Sequence, residues 1–225
     1  MLCYNEKTND KGRGQMVVAP KLPAQLTEAN FTDIYLDEYH SLFQVMISQD
    51  IIQEDEIYKP DLSQSLFKAV TFDQVAFHKI EFSDSQFENC DFSNSVFTEA
   101  SCIRTVFKDC KLLGLDFSGS YFGEVVFDSC DLSLATFANG SFKNVQFINC
   151  RFIDTDLFDC KFVKVEILDS QLIKTNFTGT SLRKMDLRTC QIDSLTVNLD
   201  DLVGCILTSD QTVFLAGLLG IQIKD

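Results

Sequence analysis

The cysteines are the residues whose chemistry and spacing most need an explanation. The chain has nine cysteines in 225 residues, and five of them are separated by multiples of 20. These five are Cys90, Cys110, Cys130, Cys150 and Cys190, and Ser170 occupies the one remaining place in the series. If residues 20 apart lie in neighbouring strands, their thiols are roughly 4.8 Å apart, a spacing that would suit a metal ladder or a disulfide. The series contains no CxxC pair and no histidine accompanies it, so we interpret these cysteines as reduced, compact apolar filling of a core.

The two histidines, His40 and His78, are the other candidates for catalysis or metal binding. Neither has the neighbours of a nucleophilic triad or a metal site, and the chain has no glycine-rich phosphate loop. His78 is predicted to face solvent. We therefore predict that the protein is not an enzyme and that it uses no metal and no cofactor.

The elements that position these residues follow a strict period of five. Every residue whose number ends in 2 or 7 from Leu42 to Val197 is apolar, and the 32 positions hold 17 Phe, 8 Leu, 5 Ile, one Val and Cys102. Two residues earlier, from Ser65 to Leu195, the positions are small or apolar and never charged. The period fits neither a helix nor a flat strand. It predicts a chain that turns a corner every five residues, with one large and one small side chain inside.

Four such turns close a coil of 20 residues, and the coils stack as parallel strands. The sequence thus predicts an all-β, four-sided β-helix of eight coils, roughly 38 Å long. The first coil is expected to be irregular, because His40, Asp50 and Asp55 stand where small residues belong. We divide the chain into a flexible or capping segment (1–30), the β-helix (31–199) and a capping and dimerisation segment (200–225).

Composition restricts the class of partner. The net charge of −14 argues against binding of a phosphate backbone, but it permits a negative surface that is offered to a protein which normally grips nucleic acid. No apolar run is long enough to span a membrane and no signal-peptide core is present, so a cytoplasmic location is predicted. Lys11-Gly12-Arg13-Gly14-Gln15 directly precedes Met16. Purine-rich codons for these residues would resemble a translated ribosome-binding site, so we predict that Met16 rather than Met1 is the natural start.

The acidic residues fall on particular sides of the predicted coil. One side carries Glu88, Asp109, Asp128, Glu166, Asp169 and Asp186, and the opposite side carries Glu99, Asp116, Asp156 and Asp159. All of these except Asp186 are predicted partner-binding residues. The bases are concentrated on a third side, at Lys143, Lys161, Lys164, Arg183 and Lys184.

The C-terminal segment differs in kind from the repeat. Thr208-Ser209-Asp210 offers an N-cap, Gln211 to Leu219 indicates a short α-helix, and Gly220 would end it in the left-handed conformation. This helix is apolar nearly all round, which exceeds what is needed to cover the end of a solenoid. We predict that it joins two chains into a homodimer, with an interface formed by Val213, Phe214, Gly217 and Leu218.

The repeat resembles that of the pentapeptide-repeat family, whose consensus is A(D/N)LXX with Leu or Phe at the centre. The Phe-rich centres, the acidic balance and Asp201-Leu202-Val203-Gly204-Cys205 followed by Thr208-Ser209-Asp210-Gln211 are similar to the branch of Qnr-type and mycobacterial MfpA quinolone-resistance proteins. This resemblance implies a right-handed quadrilateral β-helix that dimerises into a mimic of DNA. It further implies that the dimer binds DNA gyrase or topoisomerase IV and modulates the enzyme, either by competing with DNA or by protecting the enzyme from quinolones.

One difference from that branch concerns its loops. Qnr proteins of Gram-negative bacteria carry loops that interrupt the repeat, whereas here the count from 62 to 197 has no insertion. Protection and simple inhibition of gyrase therefore both remain open. The alternative function is that of a scaffold or immunity protein whose protein partner is not a topoisomerase.

Overall fold

The structure is a computed structural model that describes residues 17–53, 55–218 and 220–221. The proposed start at Met16 lies outside these residues. The described part folds into a parallel β-solenoid of about eight turns, which confirms the predicted fold class. Among the described residues no helix is long and apolar enough to cross a bilayer.

Short parallel strands form the walls of the coil. They are β1 Thr27–Glu28, β2 Val45–Ser48, β3 Ile51–Gln53, β4 Glu56–Tyr58, β5 Leu66–Lys68, β6 Thr71–Asp73, β7 Ala76–His78, β8 Glu81–Ser83, β9 Gln86–Glu88, β10 Ser101–Lys108, β11 Tyr121–Asp128, β12 Ser141–Ile148, β13 Arg151–Ile153, β14 Lys161–Leu168, β15 Gln171–Asn176 and β16 Gln191–Thr196. The helical elements are three 3-10 helices, Phe31–Leu36, Leu199–Leu202 and Asp210–Thr212, and the α-helix α1, Val213–Leu218.

Paired strands are offset by 20 residues. Cys102 in β10 pairs with Phe122 in β11, which pairs with Phe142 in β12. We name the four sides of the rod after the centres of one coil: the Phe82 side, the Phe87 side, the Phe92 side and the Phe97 side. The long strands β10, β11, β12 and β14 cover the Phe82 and Phe87 sides, and the other two sides are formed by shorter strands, isolated bridges and turns.

Columns of aromatic rings fill the interior. On the Phe87 side the rings of Phe67, Phe87, Phe107 and Phe127 stack with centroids 4.8, 5.1 and 5.0 Å apart. Phe72 and Phe92 stack at 4.6 Å on the next side. Neighbouring columns meet edge to face, as Phe82 and Phe87 do at 5.0 Å. The one geometric slot that repeats in every coil thus explains the prevalence of Phe.

The corners require left-handed backbone. Of the 27 described non-glycine residues with positive φ, all except His40 have numbers ending in 4 or 9, as in Asn149 with φ 54°. Asn and Asp are frequent there because they tolerate this conformation, which β-branched residues avoid. Thr189 is a β-branched residue at such a position, and it is absent from the positive-φ set. Its hydroxyl oxygen accepts a hydrogen bond from the Asp169 N–H (3.0 Å). At other corners the equivalent N–H donates to a backbone carbonyl of the next coil, as that of Asn149 does to Leu168.

A 3-10 helix closes the N-terminal end of the core. Within Phe31–Leu36, Phe31 is buried and its ring stacks on Phe77 at 5.6 Å. The Phe31 N–H donates to Asp50 Oδ2 (3.0 Å), and the hydroxyl of Tyr35 donates to Asp55. Asp50 and Asp55 therefore replace small residues in the first coil because they hold this cap, which the sequence analysis did not foresee.

Residues 17–26, here called the arm, run along the outside of the rod. The N–H of Val18 donates to Glu124 Oε2 and that of Lys21 to Asp84 Oδ1, both at 3.0 Å. Thr27, the first residue of β1, donates its N–H to the carbonyl of Gln44 (3.0 Å). Because Gln44, Asp84 and Glu124 share one corner of the coil, the arm follows the corner between the Phe82 and Phe87 sides.

The C-terminal segment covers the other end. A partial coil continues past Val197, where Leu187 donates its N–H to the carbonyl of Ile206 (3.0 Å). Thr208 and Gln211 form a reciprocal capping box, and the Gln211 amide also donates to the carbonyls of Leu187 and Cys190 at 2.9 and 2.7 Å. The predicted short helix is confirmed, although only Val213–Leu218 is α-helical, and Gly220 has the expected positive φ of 71°.

Candidate functional site

The cysteine column lies in the core. Four of the five thiols point to two backbone carbonyls, as Cys90 Sγ does to those of Phe67 and Glu88 at 3.5 and 3.6 Å, and Cys190 Sγ points to that of Ile167 at 3.3 Å. Burial raises the pKa of Cys130 and raises that of Cys160 to about 12, so both thiols are protonated at neutral pH and are poor nucleophiles. No group of metal-binding side chains occurs among the described residues. The geometry is that of core packing.

Of the two histidines, His78 contacts a threonine hydroxyl and His40 contacts an aromatic ring. His78 Nδ1 is 2.7 Å from Thr98 Oγ1, one coil away, and the His40 ring meets Tyr35 edge-on at 6.0 Å. The best-formed depression in the described part of the chain is shallow, with a volume of about 200 Å³. It lies where the arm begins, between Val17 and the side chains of Lys164 and Lys184.

The Phe87 side carries six of the acidic residues singled out above. Four of these have partners: Glu88 pairs with Lys68 at 3.2 Å and Asp186 with Arg188 at 2.8 Å, while Glu166 accepts from Gln146 and Asp128 from Ser129. The other two, Asp109 and Asp169, are exposed and form no ion pair with a described residue. Exposed pairs neutralise little, because water screens them. This side therefore remains negative.

The opposite Phe97 side carries the remaining four. Glu99 pairs with Lys79 at 3.3 Å, and Asp159 is exposed without an ion pair to any described residue. Asp116 and Asp156 are half-buried, and each accepts a hydrogen bond from the backbone N–H two residues later, at 2.8 and 3.1 Å. The structure thus places the nine predicted partner-binding carboxylates on two opposite walls rather than in one cluster.

The C-terminal end presents apolar groups to solvent. Val213 is 56% exposed, and Val203, Ile206 and Leu199 are also exposed. No neighbouring atom lies within 4 Å of the position where a Cβ would stand on Gly217. The side chains of Phe214 and Leu218, the other two predicted dimer residues, lie outside those that the structure describes.

The arm was missed by the sequence analysis, which predicted only a flexible or capping segment before residue 31. The sequence contains one indication of the arm: Val106 and Val126 are apolar residues at equivalent outward positions of two neighbouring coils. Both are buried at the corner that the arm follows. Outward valines stacked over two coils can therefore indicate that another segment covers them.

Comparison with known proteins gives a family and a set of similar folds. The family model for the pentapeptide repeat region matches residues 80–144 and 120–197, together more than half of the chain. No curated protein sequence matches the chain.

Several solved structures are similar to this chain. A structure of QnrB1, a plasmid-mediated fluoroquinolone resistance protein, is 20% identical over 80% of this chain and 100% of its own, with a TM-score of 0.44. HetL, a pentapeptide-repeat protein involved in the regulation of heterocyst differentiation in the cyanobacterium Nostoc, is 13% identical over 75% of this chain and 90% of its own, with a TM-score of 0.27. Rfr23 from the cyanobacterium Cyanothece is 9% identical over 80% and 97% of the two chains, with a TM-score of 0.23.

Proposed function

This chain belongs to the pentapeptide-repeat family, and from that premise we propose that it is a DNA mimic that binds a type II topoisomerase, DNA gyrase or topoisomerase IV. Proteins with this β-solenoid are typically structural or binding proteins rather than enzymes. The observation that carries the proposal is the pair of acidic walls on opposite sides of a straight rod.

The charge density of these walls is comparable with that of DNA. Ten carboxylates from Glu88 to Asp186 occupy two opposite walls over six coils, about 24 Å at roughly 4.8 Å per coil. Duplex DNA carries one charge per about 1.7 Å of its axis. A cationic groove that attracts DNA would therefore attract this rod, although more weakly.

We also propose that two rods join end to end through the C-terminal segment. The exposed Val213 and the open space around Gly217 would let two helices approach closely about a two-fold axis. A two-fold rod matches the symmetry of an enzyme that grips DNA with two equivalent subunits. The doubled length also supplies more of the acidic surface to that partner.

Protection from quinolones is the finer part of the proposal. It rests on the similarity of the repeat centres and the C-terminal segment to the Qnr and MfpA branch. The regular repeat leaves no projecting loop between residues 62 and 197. We therefore expect inhibition of DNA binding to be the primary effect, with protection following from displacement of DNA.

The test is a gyrase supercoiling assay with and without ciprofloxacin. The dimeric rod should inhibit supercoiling at micromolar concentration, and at lower concentration it should reduce drug-induced cleavage. The double variant Asp109→Asn/Asp169→Asn should need a roughly three- to tenfold higher concentration. Asp154→Asn/Asp193→Asn on the Phe92 side is the matched control and should behave like the native rod.

Two results would contradict the proposal. If the native rod changes neither supercoiling nor drug sensitivity, the partner is not gyrase, and the same assay with topoisomerase IV decides whether the enzyme class is wrong. Failure with both enzymes would leave the scaffold or immunity function. Equal loss in the two variants would show that net charge, rather than the acidic walls, governs binding.

A further inference from the structure

The Phe82 side carries a basic surface that the proposed DNA mimicry does not use. In three successive coils its outward positions hold five bases and no carboxylate, although the whole chain has a net charge of −14. We call these residues the basic face: Lys143, Lys161, Lys164, Arg183 and Lys184. All five are exposed.

The bases of this face are not neutralised by the described part of the protein. Six ion pairs occur among the described residues, and none includes a member of the basic face. By contrast, Lys68, Lys79 and Lys111 on the other sides each pair with a carboxylate one coil away. The five charges are therefore available to a ligand.

An apolar residue lies at the centre of the basic face. Val163 is 53% exposed, with Lys161 and Lys164 on either side of it in β14. In the same outward column Lys143 precedes it by one coil and Arg183 follows it by one. A ligand that filled this face would thus meet one apolar contact surrounded by positive charge.

The basic face is narrow. Lys143 and Arg183 are two coils apart, roughly 10 Å. Carboxylates border both edges: Asp159 precedes the face at one corner, and Glu166 and Asp186 follow it on the Phe87 side. Because charges are screened over about 8 Å at physiological salt, a ligand confined to the face feels its positive field, and a wider one also meets the carboxylates.

From this arrangement we propose that the basic face binds an extended acidic segment of another protein, with an apolar side chain of that segment seated on Val163. Alternate side chains of an extended segment are roughly 7 Å apart on one side, so a carboxylate on each side of a central apolar residue would stand about 7 Å from Val163, within reach of the long side chains of Lys143 and Arg183. Duplex DNA, with a groove alone about 12 Å wide, would overlap the bordering carboxylates. The narrow basic face therefore favours a peptide over DNA.

The experiment uses the full chain and does not depend on a topoisomerase. The probe is a short fluorescein-labelled peptide of glutamates with one central leucine, and binding is followed by fluorescence anisotropy. We expect saturable binding that weakens as NaCl is raised. Lys161→Glu/Lys184→Glu should weaken it about tenfold or more, whereas the control Lys108→Glu/Lys174→Glu, with the same change in net charge, should leave it within about twofold.

Val163 supplies a second, independent measurement. Val163→Ser should weaken binding of the leucine peptide to the level of an all-glutamate peptide, and it should not change the binding of the latter. Circular dichroism of each variant would verify folding, which these exposed positions should not affect.

Three results would overturn the proposal. These are no peptide binding at millimolar concentration, equal weakening by the two double variants, or tighter binding of a DNA duplex or of anionic lipid vesicles than of the peptide. The last result would assign the face to a phosphate-bearing polyanion. None of them bears on the acidic walls, so the supercoiling assay remains a separate test.

Discussion

Asp84 is the residue whose surroundings differ most from its place in the repeat. Its number ends in 4, a position that faces solvent elsewhere, yet only 5% of it is exposed. Nε and Nη2 of Arg104 each donate to it at 2.6 Å, and the N–H of Lys21 in the arm donates at 3.0 Å. Burial alone would raise the pKa of Asp84, but these hydrogen bonds and the nearby charge lower it overall. The carboxylate therefore links the arm to the rod.

Asp84→Asn should release the arm. The change leaves Arg104 without its charged partner and should lower the free energy of unfolding by about 1–3 kcal/mol. Amide hydrogen exchange of residues 17–26 should accelerate, and Asp109→Asn, an exposed Asp in an equivalent corner, should leave it unchanged. Unaltered protection of the arm in Asp84→Asn would show that the carboxylate does not hold it.

The same contact predicts a pH dependence. Because the pKa of Asp84 is lowered in the folded chain, its contribution to stability is complete above the ordinary pKa and is lost as the pH falls below about 4. The protection factors of the arm amides, which correct for the slower intrinsic exchange at low pH, should therefore fall in that range before the rod unfolds, and this fall should be absent in Asp84→Asn.

At the scale of elements, the columns of rings hold the coils together. Phe117 is fully buried and meets Phe97, Phe122 and Phe137 at 5.7, 5.3 and 5.7 Å. Each ring contacts rings of its own column and of the neighbouring columns. Loss of one ring therefore leaves a cavity, because the hydrogen-bonded coils around it cannot move inward to fill the space.

Phe117→Ala should therefore lower the free energy of unfolding by about 3–5 kcal/mol. Phe158 provides the matched control, because it directly follows an inward centre, faces outward and is 43% exposed. Phe158→Ala should lower the free energy of unfolding by less than about 1 kcal/mol. Denaturant unfolding followed by circular dichroism measures both. Similar losses of unfolding free energy in the two variants would contradict the assignment of Phe117 to the interior and Phe158 to the surface.

The sequence was sufficient to predict these elements, because a buried register tolerates no charge and a five-residue corner repeats at every turn. The β-helix, its coil length and the inward cysteines all follow from that repetition. The cap around Phe31 and the arm follow from single contacts at Asp50, Asp55 and Asp84, which have no period to reveal them. Pairing of carboxylates with bases one coil away also depends on side-chain rotamers. The sequence therefore predicted the positions of the acidic residues but not the ion pairs that some of them form.

At the scale of the whole molecule, the two ends of the rod differ. The N-terminal end is closed by Phe31–Leu36, while the C-terminal end leaves Val213, Val203 and Ile206 exposed beside α1. Exposed apolar side chains occur near both ends, since Leu36, Tyr39 and Phe43 are also exposed near the N-terminal end. Those beside α1 provide an apolar surface for the proposed end-to-end association of two rods.

Val213→Lys/Phe214→Lys should accordingly convert a dimer to a monomer. Opposed positive charges at a two-fold contact repel and are poorly hydrated when buried. Light scattering measures the mass, and Leu134→Lys, on an exposed residue of the Phe92 side, should remain dimeric. A native chain that is already monomeric, or a double variant that stays dimeric, would refute the C-terminal interface.

The arm also restricts how such a rod can change its length in evolution. Duplication of 20 residues adds a coil and keeps every wall aligned, whereas an insertion of five would rotate all later walls by a quarter turn. Between Val18 and Lys21 the arm crosses from Glu124 to Asp84, two coils or roughly 10 Å, which is close to the full reach of three residues. A coil inserted between those carboxylates would exceed the reach of the arm, so lineages of this protein should lengthen outside the span from Asp84 to Glu124.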